Sequence, residues 1–257
     1  MGHGEDKIML EPANTYEDLL DGFKWQIPER FNIARAVCTR WALESPKAIA
    51  VIEHMVDGPV RTTSFSELEE MSNRFANLLI KSGIGRGDRV ALLLPQARET
   101  AAAHIAIYKI GAIAVPLAML FGVEAVQYRL QKSGARALIM STASHQNVSE
   151  ILPGLDALQV VFCIDGKLDI APHIHDESGS LSATFDAADT TPDDAALMIY
   201  TSGTTGPPKG ALHGHRVLLG HIPGIQFAHE FFPQPGDLMW TPSDWAWAGG
   251  LLNALLP

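Results

Sequence analysis

Apolar positions along this chain recur with two different periods, and the alternation between them predicts its elements. Phe31, Ala34, Val37, Cys38 and Trp41 fall at helical spacing, and Pro46 closes that element. Residues 48–53 and 60–64 read as paired strands about the turn signal Asp57-Gly58-Pro59. Ser66, with Glu69 three residues on, has the pattern of a capping box. It opens a helix whose apolar face carries Leu68, Met71, Phe75, Leu78 and Leu79 before Gly83 stops it. From there strands at 89–94, 112–115, 137–140 and 160–164 alternate with helices near 98–110, 123–131 and 144–152. That spacing argues for parallel βαβ units. The unbroken runs Ala91-Leu92-Leu93-Leu94 and Val160-Val161-Phe162-Cys163-Ile164 suit strands covered on both faces.

Residues 166–194 break the pattern: rich in Asp, Ser, Thr and His, they read as a linker or long excursion. A second unit follows, with a buried strand at Ala195-Ala196-Leu197-Met198-Ile199, a Gly/Ser/Thr/Pro loop, a helix over 215–227, a strand at 238–241 and an apolar helix over 245–256. The expectation is an α/β fold of layered βαβ units with mostly parallel sheets. Residues 1–190 would form a first subdomain with an N-terminal arm and linker, and 191–257 the start of a second. A βα array ending on an apolar helix reads as truncated at Pro257.

With 257 residues and 47% hydrophobic content the chain can bury a sizeable core. A net charge of −10 argues against nucleic acid or an anionic membrane as partner. Cys38 and Cys163 lack metal-ligand spacing and read as reduced, buried thiols. No basic-then-apolar leader opens the sequence, and no apolar run approaches the ~20 residues that span a bilayer, so a soluble, cytoplasmic protein is expected. His173-Ile174-His175-Asp176 and the pair His213/His215 read as ordinary solvated histidines, His104 and His221 as structural ones, and no metal site is expected. Gly83-Ile84-Gly85-Arg86-Gly87 precedes a strand, whereas a dinucleotide fingerprint follows one, so it reads as a turn.

Candidate chemistry concentrates in Tyr200-Thr201-Ser202-Gly203-Thr204-Thr205-Gly206-Pro207-Pro208-Lys209-Gly210. A surface turn would explain a Gly/Ser/Thr/Pro cluster after a strand. Four hydroxyl positions broken only by glycine, and two prolines stiffening the approach to Lys209, point instead to an anion. Glycine lets amides come close, hydroxyls supply rotatable donors, and Lys209 supplies a point charge. Lys209 is flanked by Pro208 and Gly210, so the loop is not the Gly-Lys-Ser/Thr nucleotide loop.

Thr201 to Gly210 closely resembles the phosphate-loop signature of the adenylate-forming (AMP-binding) enzymes, which include acyl-CoA synthetases, luciferases and peptide-synthetase adenylation domains. Gly87-Asp88-Arg89-Val90-Ala91-Leu92-Leu93-Leu94-Pro95 and Tyr108-Lys109-Ile110-Gly111-Ala112-Ile113-Ala114-Val115-Pro116-Leu117 resemble its early strand and the next helix–strand corner. Phe31-Asn32-Ile33-Ala34, Arg40-Trp41-Ala42 and Trp240-Thr241-Pro242-Ser243-Asp244-Trp245-Ala246-Trp247 are most similar to the acetyl- and medium-chain acyl-CoA synthetase branch. The likeness runs from about Trp25 to Pro257 and covers the first part of the family pattern only.

The resemblance implies an incomplete large N-terminal domain and a two-step ligase. A carboxylic acid attacks the α-phosphorus of ATP with Mg2+, and the thiol of coenzyme A then displaces AMP, a chemistry belonging to fatty acid metabolism. Thr201, Ser202, Gly203, Thr204, Thr205 and Gly206 would wrap the phosphates, with Lys209 as the catalytic charge; Trp245, Trp247 and Gly249 would line the carboxylate pocket. A core-packing role for the tryptophans is the other reading. The family's Tyr-Gly-x-Thr-Glu segment, ribose Asp and adenylation Lys do not occur before Pro257, so the isolated chain is expected to form neither adenylate nor thioester. Two alternatives stay open: a non-catalytic nucleotide-binding module, and transfer to a carrier-protein thiol. Neither the particular acid nor the oligomeric state is legible.

Overall fold

The computed structural model describes residues 10–54, 58–201 and 206–257. Helix α1 (Tyr16–Gly22) lies in the N-terminal arm, and a π-helical turn at Arg35–Thr39 runs into α2 (Arg40–Glu44). Strands β1 (Ile49–His54) and β2 (Val60–Ser64) pair antiparallel, with Asp57 of the expected turn outside the described residues. Then follow α3 (Phe65–Lys81), β3 (Arg89–Leu93), α4 (Arg98–Lys109), β4 (Ile113–Leu117), α5 (Val123–Ser133) and β5 (Ala137–Met140). The chain continues through α6 (His145–Ile151), β6 (Val160–Cys163), α7 (Ile174–Ser178), β7 (Ala195–Thr201), β8 (Lys209–Gly214), α8 (Val217–Ala228) and α9 (Ala248–Gly250), which passes into a π turn at Leu251–Leu255. Among the described residues no helix is long and apolar enough to cross a membrane.

Six strands make one sheet in the order β6-β5-β3-β4-β7-β8, parallel from β6 to β7 and antiparallel only at β8. Side chains alternate between its faces as a pleated strand requires. Val90, Leu92 and Leu94 pack with Phe75 and Leu79 of α3 and Ala102 and Ala106 of α4. Ala91 and Leu93 pack on the other face with Val126 and Leu130 of α5 and Val148 and Ile151 of α6. Helices therefore cover both faces, as the unbroken apolar strands imply. Strands β7 and β8 extend this same sheet, although the sequence places them after the expected subdomain boundary near residue 190.

Three local expectations fail, each for a visible reason. The capping box of α3 is Ser64/Glu67, not Ser66/Glu69: Ser64 Oγ accepts from the Glu67 amide, and the Glu67 carboxylate accepts from the Ser64 amide at 2.8 Å. Both registers occur in Ser64-Phe65-Ser66-Glu67-Leu68-Glu69, but Ser64 is still extended at the end of β2, and Glu69 is drawn inward by a lysine. No strand forms at 238–241, where Leu238 and Trp240 are exposed and no ladder partner adjoins them. The third is a strand unforeseen by the periodicity, β8, whose Lys-Gly-Ala-Leu-His-Gly has weak strand propensity and is ordered by its ladder to β7.

The polar excursion 166–194 is pinned down rather than loose. Asn73 and Asn77 of α3 donate to the carbonyls of Ala183, Ser182 and Thr184. Asn32 reaches Ala188, and Thr190 exchanges bonds with the Phe31 backbone. Side-chain amides thus supply the hydrogen bonds that an irregular backbone cannot make with itself.

Two buried charges tie the helices on one face together. Lys109 Nζ, 1% exposed, donates to Glu69 Oε1 at 2.8 Å, Ser72 Oγ at 2.8 Å and Asn73 Oδ1 at 2.5 Å, which uses all three of its donors. Burial pulls its pKa down and the Glu69 carboxylate pushes it back. Glu99 Oε1 accepts from Arg98 Nε at 2.9 Å and lies 3.3 Å from His175 Nε2, which fastens α7 to the start of α4. Burial raises the Glu99 pKa, but His175 and Arg98 together outweigh it and hold the carboxyl at about 2.

Two outcomes follow from these charges. Lys109→Met alone should cost about 3–5 kcal/mol because it strands a buried carboxylate, while the double change Lys109→Met with Glu69→Leu should recover more than half of that; urea denaturation reads both. Glu99 titrates lower in the folded than in the unfolded chain, so its contribution is complete above the ordinary value of 4.5 and fades as pH falls toward about 2. Glu99→Gln should lose on the order of 2 kcal/mol at neutral pH and flatten the stability profile across that acid window. Parallel acid limbs for variant and parent would refute this.

Candidate active site

Parallel pairing brings the carboxyl ends of β3, β4, β5, β6 and β7 to one edge of the sheet, the edge where open α/β sheets bind ligands. From β3 the chain leaves to α4 on one face, and from β4 to α5 on the other, which opens a crevice between the two strand ends. The loop after β7 stands beside it.

That loop is the tip of a hairpin. Register runs from Ala195 opposite Gly214 to Thr201 opposite Lys209, so the two residues face each other at the last rung. Between them, Ser202, Gly203, Thr204 and Thr205 lie outside the described residues. Gly206 takes φ +105°, a conformation that side chains rarely adopt. Thr201, Gly206 and Lys209 are all exposed, and among the described residues no carboxylate neutralises the Lys209 ammonium. On the second limb, Tyr128 Oη donates to the Pro208 carbonyl at 3.1 Å and ties the hairpin to α5.

Beneath the hairpin lies a set of residues that the motif does not contain. Arg129, buried in α5, places its guanidinium 4.0 Å from the Phe121 ring centroid and 5.7 Å from that of Tyr200. Burial lowers its pKa and the neighbouring tyrosines raise it. Tyr200 Oη donates to the Arg129 carbonyl at 3.3 Å. Phe121 in turn meets Trp247 edge-on, with centroids 5.9 Å apart. A sequence signal existed: Val126, Arg129, Leu130 and Ser133 form the buried stripe of α5, and an arginine on such a stripe is unusual.

The tryptophans take different places. Trp245 and Ala246 close over Leu92, Leu94, Thr100, His104, Pro116 and Leu117, and the crevice left between them is about 10 Å³, room for no more than a water molecule. Trp247 is 45% exposed and Trp240 is 81% exposed. Thr241 Oγ1 and Asp244 Oδ1 accept from the amides of Ser243 and Ala246, and Gln96, just beyond β3, donates to the Ser243 carbonyl at 2.8 Å. The 241–247 segment is therefore held against the sheet edge by its own turns and by Gln96. Gly249 is exposed and open around its missing Cβ, whereas a Cβ on Gly250 would stand 2.6 Å from the Asp244 carbonyl oxygen.

Against the expectation of solvated rings, His173 and His215 are held by protein partners, because the backbone and carboxylate groups around them need the hydrogen bonds. His173 lies 3.3 Å from Asp176 and 3.2 Å from the Ile164 carbonyl. His215, wholly buried, accepts the Ile33 amide at Nδ1, and burial pulls its pKa down to about 4. His213 sits in β8 opposite Leu197. Among the described residues no three His, Cys, Asp or Glu side chains gather as a metal site. A groove of about 300 Å³ lined by Leu130, Ala135, Leu155 and Leu158 lies at the opposite edge, where β5 and β6 begin.

Gly250→Ala should therefore lower stability by about 1–3 kcal/mol through a clash with fixed backbone, and Gly249→Ala should be neutral or mildly stabilising; equal effects in thermal denaturation would contradict this account.

Residues 38–257 match the family described as AMP-binding enzyme. The chain is 31% identical over 263 residues to the Mus musculus protein named acyl-coenzyme A synthetase ACSM3, mitochondrial, covering 95% of the chain and 43% of that protein. It is 30% identical over 246 residues to acetyl-coenzyme A synthetase of Escherichia coli O157:H7, covering 88% of the chain and 38% of that protein. The crystal structure of Brucella canis acyl-CoA synthetase superposes with a TM-score of 0.83 at 25% identity, over 95% of the chain and 46% of that structure. The chain thus spans less than half the length of each.

Proposed function

The chain belongs to the AMP-binding enzyme family, and from that membership we propose that it carries the phosphate-binding and acid-binding parts of an ATP-dependent carboxylate–coenzyme A ligase. The observation that carries the reading is the hairpin at the carboxyl edge of the sheet. Lys209 stands there opposite Thr201, exposed and, among the described residues, without a carboxylate partner. In a chain of net charge −10, an unneutralised lysine among hydroxyls and glycines makes a local positive potential that an anion can use.

In this reading Thr201, Ser202, Gly203, Thr204, Thr205 and Gly206 surround the β- and γ-phosphates, and Lys209 offsets the charge that grows on pyrophosphate as it leaves. Mg2+ arrives with ATP as part of the substrate. A carboxylate oxygen attacks the α-phosphorus, the bond to the β-phosphate oxygen breaks, and an acyl-adenylate forms. The thiolate of coenzyme A then attacks the acyl carbon and AMP departs. The names of the mouse and Escherichia coli relatives, both coenzyme A synthetases, support this acceptor. The protein's part in the first step is positioning and charge, with little covalent work. The acid lies against Trp247 and Phe121, beside Gly249, with Trp245 lining the narrow crevice between β3 and β4 next to them. A flat or short acid suits an aromatic wall of this size.

Lys209→Ala should weaken Mg·ATP binding, measured by calorimetry, by roughly 10- to 150-fold, the loss of one charge-assisted hydrogen bond. In a polypeptide of the relatives' full length carrying the same residues, pyrophosphate exchange should fall roughly 10²–10³-fold. Changes under about threefold in both would remove Lys209 from the role.

A further inference from the structure

Arg129 is a cation on an apolar stripe, 8% exposed, with no carboxylate paired to it among the described residues. One guanidinium nitrogen, Nη1, donates to the Ala125 carbonyl of its own helix at 2.8 Å, and among the described residues Nε has no hydrogen-bond partner. The charge is instead set against two aromatic rings, Phe121 and Tyr200. A planar, delocalised and weakly hydrated guanidinium suits this desolvated setting between two rings better than a compact, strongly hydrated ammonium.

The two rings belong to different parts of the site. Phe121 follows β4 and abuts Trp247. Tyr200 precedes Thr201, the first residue of the phosphate loop, and its hydroxyl returns to the Arg129 carbonyl. The adjacent Tyr128 holds Pro208 on the loop's other limb. One turn of α5 therefore touches both limbs of the hairpin and the aromatic wall.

We propose that Arg129 is a positioning residue that couples the phosphate hairpin to the Trp247 wall, so that a triphosphate at one and a carboxylic acid at the other alter each other's binding. The identity of these occupants rests on the functional reading above; the mechanical link between hairpin and wall does not. A prop of the right volume would serve a purely structural role. Coupling needs both the plane and the charge of the guanidinium.

Two measurements on the chain test this. In the first, Mg·ATP is titrated while tryptophan emission is followed, with Trp247→Phe identifying that ring's share of the signal. The parent's Trp247 emission should change as nucleotide binds. Arg129→Lys, which keeps the charge and loses the plane, should bind within about threefold of the parent yet lose most of that change. Arg129→Met should bind about tenfold more weakly and lose it as well. A Trp247 response in Arg129→Lys equal to the parent's overturns the proposal, as does nucleotide binding to the parent with no Trp247 response.

The second measurement needs no nucleotide. Backbone hydrogen exchange in Arg129→Lys should quicken by about tenfold both at 198–201 with 208–212 and at 246–252, and stay unchanged in β5 and β6. Quickening of one segment alone, or of neither, overturns the coupling. Should the parent fail to bind Mg·ATP while both segments loosen together, the ligase reading falls and the coupling stands.

Discussion

Parallel strand pairing is the constraint from which the rest of this molecule follows. Five strands that all run the same way must be joined by crossovers, and the crossovers must lie on the sheet's faces. Both faces are then buried, which is why Ala91 and Leu93 find α5 and α6 while Val90 and Leu92 find α3 and α4. The same pairing delivers every strand's carboxyl end to one edge. Gln96, Phe121, Thr201 and Trp247 are distant in sequence and share a neighbourhood because of it. The antiparallel return of β8 is the single departure within the sheet, and it converts a crossover loop into a hairpin that presents Lys209 at its outer rung.

Cations near this framework meet three fates, set by what each can reach. Lys109 is taken into the interior and saturated by a carboxylate, a hydroxyl and an amide, so its charge is spent inside the fold. Arg129 is also buried, though less deeply, and meets ring faces in place of a carboxylate, which leaves its charge only partly answered. Lys209 stays in water at the end of a strand. Going from the helices toward the sheet edge, positive charge is progressively less compensated, and the edge is where an anionic ligand would complete it.

Much of the scaffold was legible because the chain's local preferences agree with its packing. The strand at 137–140 and the helices beginning at Arg98 and Val123 coincide with their apolar periods, since each element buries a face of the width its pattern declares. Legibility failed where a decision was made by partners remote in sequence. Lys109 decided between two serine caps by drawing Glu69 inward. Asparagines on α3 fixed an excursion whose own composition suggested a linker. The Thr201–Gly210 segment was readable as a motif because its residues are consecutive in the sequence. Phe121, Tyr128 and Arg129 were not, because their relation to it exists only once α5 is laid beneath the hairpin.

Helix α4 shows what such a framework does to the meaning of its sequence. From Glu99 to Lys109 every residue is buried, and Ala101, Ala102, Ala103 and Ala106 let it press close to the sheet. Almost any larger side chain there would collide with a neighbour, so the segment can drift little over evolutionary time whether or not it touches a ligand. Invariance along α4 would thus record crowding, and a reader hunting catalysis by conservation alone would be led to the quietest part of the molecule.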